Sequence, residues 1–189
     1  MNEANLTVPD AIWTERLILR RWRDEDLEPF AELNSDPDVM AYMPALLDRR
    51  DSDALATRIR EQFEQRGFGL WAVEVPGETP FIGYVGLSIP RFSAHFTPCV
   101  EIGWRLARPH WGRGYASEAA RASLAFGFER VRLQEIVSFT VPSNVRSIAV
   151  MQRIGMTHDP ADDFDHPSLP VGHPLRRHVL YRLACTSRS

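Results

Sequence analysis

From Leu17 to Trp22 the side chains alternate, with Leu17, Leu19 and Arg21 opposite Ile18, Arg20 and Trp22, which predicts a first strand of period two. Residues Met1 to Trp13 before it read as a loose arm that docks through Ile12 and Trp13. Asp24 reads as the cap of a helix running to about Asn34, which Asp36-Pro37 breaks. Between Ser52 and Arg66 apolar residues recur every four positions, at Leu55, Ile59 and Phe63, and predict an amphipathic helix closed by Gly67. Leu70 to Val75 and Phe81 to Ile89 are apolar, strand-like runs joined by the turn-rich Pro76-Gly77-Glu78-Thr79. Val100 to Leu106 is a further strand, Tyr115 to Arg130 a helix and Gln134 to Val141 another strand. Asn144 to Ile154 is a short helix stopped by Gly155. A Pro-, His- and Asp-rich segment, Asp159 to Pro174, leads to a last strand near His178 to Leu183. Strands joined first by hairpins and then by a helix indicate an α+β fold with a mixed sheet.

The totals narrow the picture without redirecting it. A chain of 189 residues suits a single domain, and 22 basic against 25 acidic side chains give no case for nucleic acid as a partner. No apolar run reaches the ~20 residues needed to span a bilayer, and Met1-Asn2-Glu3 lacks the basic and apolar regions of a signal peptide, so the expectation is a cytoplasmic protein without membrane partners. Cys99 and Cys185 are the only cysteines and form neither a disulfide framework nor a metal spacing. His166, His173 and His178, seven and five residues apart, match no common zinc pattern, and no metal is expected. Charge is uneven locally: between Arg105 and Arg121 stand four arginines and one glutamate, a local excess suited to a polyanion.

Chemistry concentrates in Trp111-Gly112-Arg113-Gly114-Tyr115-Ala116-Ser117-Glu118-Ala119, between the strand ending at Leu106 and the helix opening at Tyr115. Two glycines let a backbone approach a ligand closely, and the unpaired N–H groups and dipole of a helix start favour phosphate or pyrophosphate. No Gly-Lys pair exists for a P-loop, and a dinucleotide fingerprint from Gly112 and Gly114 would need glycine where Ser117 stands. The turn resembles the acetyl-CoA signature of the GNAT acetyltransferases, Gln/Arg-x-x-Gly-x-Gly/Ala, here Trp111-x-x-Gly114-x-Ala116. Its wording is similar to the RimJ/RimL-like branch, and the likeness runs from about Leu17 to Leu183. Trp111 departs from the general first position, at little cost where pyrophosphate is held by backbone N–H groups.

The resemblance implies a mixed, mostly antiparallel twisted sheet of about six to seven strands with about four helices, and a strand that splays from its neighbour to admit pantetheine. It implies acetyl-CoA as cosubstrate, an amine acceptor, direct attack in a ternary complex, and a possible homodimer. Trp104, Leu106 and the turn from Trp111 through Gly112, Arg113, Gly114, Tyr115 and Ala116 to Ser117 form the expected cofactor set. Arg108 and Arg113 could reach phosphates or simply be solvated.

Glu101 is the candidate general base, a carboxylate in the apolar stretch Val100-Glu101-Ile102-Gly103-Trp104. The alternative is that it pairs with Arg105 on the same strand face or faces water. Many members of the family place a tyrosine near the thiolate, but no tyrosine lies between Tyr115 and Tyr181. Asn144-Val145-Arg146-Ser147 resembles the Asn-x-x-Ser motif of the RimJ/RimL-like branch. It offers Ser147 as proton donor and Asn144 as a pantetheine contact, a helix cap, or both. His166, in a prolyl loop beside the acceptor groove, is the candidate substrate contact. A non-catalytic acyl-CoA sensor and an acyltransferase for longer acyl chains are the competing readings.

Overall fold

The computed structural model describes residues 9–185. Its strands are β1 (Ala11–Trp13), β2 (Ile18–Arg20), β3 (Leu70–Val75), β4 (Thr79–Ser88), β5 (Glu101–Leu106), β6 (Glu135–Thr140), β7 (Thr157–His158), β8 (Phe164–Asp165) and β9 (Arg177–Ala184). The helices are α1 (Leu27–Ser35), α2 (Arg49–Arg66), α3 (Tyr115–Glu129) and α4 (Val145–Arg153), with short 3₁₀ turns at Asp24–Asp26, Arg108–His110 and Pro160–Asp162. The sheet runs β1-β2-β3-β4-β5-β6-β9-β7, with β8 on β9. All its pairs are antiparallel except β5 with β6, which the α3 crossover makes parallel. Nine strands exceed the expected six to seven because β1, β7 and β8 have only two or three residues, too few to show a period.

Part of the segment expected as a loose arm is a strand. Residues 1–8 lie outside those described, but Ala11–Trp13 pair with β2, and Ile12 packs against the main core while Trp13 is 71% exposed. The expected alternation of faces holds along β2, although Leu17 to Arg20 are all buried because both faces of the sheet are covered. Leu17 and Leu19 enter the core on one side of the sheet, and Trp22 joins Phe30 and Ile59 of α1 and α2 in a second core.

Arg20 is only 4% exposed and is tolerated through its partners. Its Nη1 and Nη2 each donate to Asp26 at 2.8 Å, and its Nε donates to Glu74 at 2.7 Å. Burial works against the charge, yet these bonds outweigh it and hold the guanidinium above its ordinary pKa. Asp24 is therefore the first residue of a 3₁₀ turn rather than a side-chain cap, and Asp26 accepts the Arg23 N–H at 2.7 Å. Asp26→Ala strips a buried cation of its main partner and is expected to cost about 3–5 kcal/mol, read from the urea midpoint at unchanged m-value.

The longer elements follow their sequence signals. α2 begins at Arg49, three residues before its apolar period, because Asp48 caps it by accepting the Asp51 N–H at 2.8 Å. α3 lies tight on the sheet: Ala119 and Ala120 are fully buried, and a Cβ on Gly127 would come within 2.8 Å of Ile136. β5 pairs with β4 at all six residues, and β6 likewise with β9. Between β5 and β6 the pairing holds only at Glu101 and Val137, where the Val137 N–H donates to Val100 O at 2.9 Å. Beyond that point the two strands diverge, which is the expected splay.

Candidate functional site

The splayed strands open into a cavity of about 790 Å³, a size ordinary for a ligand site. Its floor is the turn before α3. Gly114 takes φ +83°, a left-handed conformation that a side chain resists, and no side chain caps the helix. The first helix N–H to reach a carbonyl is that of Glu118, at 3.0 Å from Gly114 O, so the N–H groups before it face out of the helix end.

The expected cofactor residues gather here. Trp104, Leu106, Trp111, Gly112, Gly114, Tyr115, Ala116, Ser117, Asn144 and Ser147 all line the cavity. Arg113 does not: its side chain leans toward Glu78, 3.9 Å away, and it contributes to the turn through its carbonyl. Arg108 pairs with Asp38 at the mouth. Trp111 donates its indole N–H to Leu106 O at 2.7 Å, which ties the turn back to β5.

Further cations on the wall were not singled out for the site in the sequence, among them Arg146, Arg121 and Arg16. The Arg146 guanidinium lies 4.5 Å over the Trp111 ring, and Arg121 of α3 donates to Arg153 O of α4 at 2.9 Å. Arg16, from the segment between β1 and β2, donates from Nη1 to Arg113 O at 2.9 Å and from Nε to Glu118 at 2.7 Å. The Glu118 carboxyl also accepts from the Thr14 hydroxyl and the Arg16 N–H. Burial alone would raise its pKa, but these bonds outweigh burial and keep it below its ordinary value. The acid in the first turn of α3 is thus neutralised by Arg16 and compromises an anion site little. Only the Thr14-x-Arg16 spacing before β2 could have signalled this, since the contact spans 102 residues.

At the head of α4 the side chains are set by the helix start. Asn144 is its cap, its Oδ1 accepting the Ser147 N–H at 3.3 Å, while its Nδ2 donates to Thr140 Oγ1 at 2.9 Å and to Ser147 Oγ at 3.1 Å. The amide is largely spent inside the protein, so Asn144 positions Ser147 more than it offers groups to a ligand. Ser147 Oγ accepts a second bond, from Trp104 Nε1 at 3.3 Å. With both lone pairs engaged, the hydroxyl has only its O–H left to give. Across the gap, Tyr42 Oη donates to Ser143 O at 3.1 Å, so the α1–α2 loop reaches over to the β6–α4 turn.

Side chains of β5 alternate between faces. Ile102 and Leu106 enter the main core, and Trp104 packs against it, whereas Glu101, Gly103 and Arg105 face the opposite side. Glu101 forms no ion pair among the described residues, so pairing with Arg105 does not occur. Its one side-chain bond is a long one, 3.5 Å from Ser88 Oγ. Part of its surface stays open, but the surrounding protein displaces most of its water, and burial pushes the carboxyl up to about 8 against that weak bond. Glu101 lies outside the cavity wall, on the strand face turned away from Trp104 and Ser147.

His166 also lies outside the cavity. It packs in a third cluster with Phe92 at 4.5 Å and His178 at 5.2 Å between ring centroids, and its Nδ1 accepts the Ser168 N–H at 3.3 Å. Burial, then the neighbouring His178, lowers its pKa. Among the described residues no group of three His, Cys, Asp or Glu is placed to hold a metal ion, and no helix is long and apolar enough to cross a membrane.

Comparison with known proteins places this geometry. Residues 16–157 match the model of the acetyltransferase (GNAT) domain. The chain is 37% identical to YkkB of Bacillus subtilis over 144 residues, 76% of this chain and 83% of YkkB. Its fold is similar to a GNAT-family acetyltransferase from Bacillus anthracis, with a TM-score of 0.76, 29% identity, and coverage of 92% of this chain and 98% of that one. It is also similar in fold to Mycobacterium smegmatis RimJ, solved with CoA-disulfide, with a TM-score of 0.73, 20% identity, and coverage of 94% and 88%. With the domain match covering most of the chain and the glycine turn, splayed strands and four helices in place, the chain belongs to the GNAT acetyltransferase family.

Proposed function

We propose that the protein transfers the acetyl group of acetyl-CoA to a primary amine, on a peptide N-terminus, an amino acid or another small amine, by direct attack in a ternary complex. The observation that carries this reading is a single cavity that joins an open turn of N–H groups to a hydroxyl with only its proton to give. The turn and the arginines around it suit a pyrophosphate, and the free edges of β5 and β6 suit the amides of a pantetheine arm laid between them as an added strand.

In this reading the amine approaches from the face of β5 that carries Glu101 and Arg105, and Glu101 takes its proton, directly or through a water, as the nitrogen attacks the thioester carbon in the gap where β5 and β6 part. The new N–C bond forms, the C–S bond breaks, and the Ser147 O–H protonates the departing sulfur. A carboxyl near 8 suits the first task, because it is basic enough to deprotonate an ammonium and partly ionised at neutral pH. Asn144 and Trp104 orient Ser147, and their two donated bonds also make its hydroxyl more acidic. The unpaired carboxylate and oriented hydroxyl argue against a sensor that only holds the ligand.

Thiol release from acetyl-CoA against a panel of amines tests this. Ser147→Ala should lower kcat by about 10- to 100-fold at unchanged CoA affinity, because a thiolate is a good leaving group and needs only modest help. Unaltered turnover would remove Ser147 from the chemistry, and no release with any amine from a CoA-bound protein would favour the sensor.

A further inference from the structure

Arg105 is a half-buried cation without a counter-charge. It lies in the cavity wall at the end formed by Val39, Tyr42 and Met43 of the α1–α2 loop, and no carboxylate among the described residues comes within ion-pair distance. Asp38, an acid of that wall, is committed to Arg108. What holds Arg105 is neutral. Its Nη1 donates to Asn34 Oδ1, its Nη2 lies 3.2 Å from Met43 Sδ, and its guanidinium sits 5.4 Å from the Tyr84 ring centroid. Asn34 is itself fully buried and fixed from behind, its Nδ2 donating to Ser52 Oγ at 2.9 Å. Its oxygen is therefore held toward Arg105.

This arrangement costs more than a solvated surface arginine would. A cation half removed from water needs compensation, and three of its five N–H donors remain unspent. The fork is also pre-oriented, so little further ordering is needed to bind an anion. Arg105 shares its strand face with Glu101, four residues away, and between them on that face stands only Gly103, where even a Cβ would sit 3.9 Å from Glu101 Oε1. No side chain of β5 itself separates the two. Strand geometry puts their Cα atoms roughly 13 Å apart, and the Glu101 carboxylate leans over Gly103.

We infer that Arg105 is an acceptor-specificity residue, and that the preferred acceptor is an amine carrying a carboxylate about 5–10 Å from its nitrogen. This rests on the proposed reading in which the amine is delivered to Glu101. The amine meets Glu101 while the planar guanidinium takes the carboxylate in two parallel bonds. Two sources share that chemistry, a small ω-amino acid and a peptide N-terminus followed by an acidic residue.

The test compares matched acceptors that differ only in charge. 4-Aminobutyrate against its amide represents the free acid, and Ala-Glu-amide against Ala-Gln-amide represents the peptide. The wild type should favour the acidic member of one pair by at least about 10-fold in kcat/KM, and that pair identifies the source. Arg105→Gln, which can still reach Asn34, should raise KM for the acidic member by about 10- to 100-fold and leave the amide member, the CoA affinity and Tm unchanged. Arg105→Lys should recover only part of the preference. Equal use of both members of both pairs by the wild type, or an equal loss on both in Arg105→Gln, overturns the assignment. Glu101→Gln keeps the two ideas apart: if it leaves turnover intact the base assignment falls, while the acid-to-amide ratio still decides Arg105.

Discussion

Glu101→Gln is expected to lower kcat by about 10²- to 10³-fold while CoA binds as in the wild type. The substitution keeps the size of the side chain and removes its ability to take a proton. Among the described residues Glu101 has no ion pair to lose and only a long bond from Ser88, so the fold should not suffer. The pH profile carries the more specific expectation. A base must be ionised to act, so wild-type kcat/KM should rise with pH and level off above the Glu101 pKa of about 8. An acceptor whose amine titrates near ~10.4 keeps the substrate's own limb outside this window. In Glu101→Gln the limb near 8 should vanish. A limb that survives unchanged would assign it to another group, and a loss below threefold would make Glu101 structural.

Gly114→Leu is expected to weaken CoA binding by at least about 100-fold, the larger of the effects on the cofactor side. Three costs coincide there. The backbone sits at φ +83°, which costs a side-chain-bearing residue about 1–2 kcal/mol. A Cβ would come within 3.3 Å of Arg16 Nη2, disturbing the clamp that joins Arg16 to Glu118 and Arg113 O. The leucine side chain would also stand where a phosphate must approach the N–H groups. Gly172→Leu is the control, since Gly172 has φ +84° with nothing within 4 Å of its Cβ and lies outside the cavity. Both variants share the cost of the left-handed backbone, and only Gly114→Leu, which also disturbs the Arg16 clamp, should lose CoA.

Most of the architecture was legible because its longer elements carry their own signals. The edges of β3, β5, β6 and α3 fall within a residue of where apolar runs, glycines and prolines set them. The turn was legible for the same reason: Gly112 and Gly114 act through the backbone they occupy. Missed features are those whose cause lies far away in the chain. β1, β7 and β8 exist because a neighbouring strand edge was available to pair. Arg16 reaches Glu118 across 102 positions, and Arg105 reaches Asn34 across 71. A run of arginines could be read as a local excess of charge, but which one lacks a counter-ion is decided only by folding. Arg113 shows the converse, a residue in the motif whose side chain leans elsewhere. Asn144 and Ser147 were readable as a pair because three residues at a helix start face one another. That Ser147 receives a second bond from Trp104 on β5 required the structure.

The most direct measurement is a calorimetric titration of the wild-type protein with acetyl-CoA and with CoA. One site per chain with micromolar affinity, weakened by rising salt and lost in Gly114→Leu, is the expected result. A wild-type protein that binds neither ligand would contradict the assignment of the turn from Trp111 to Ser117 as the cofactor site, and with it the proposed chemistry at Glu101 and Ser147.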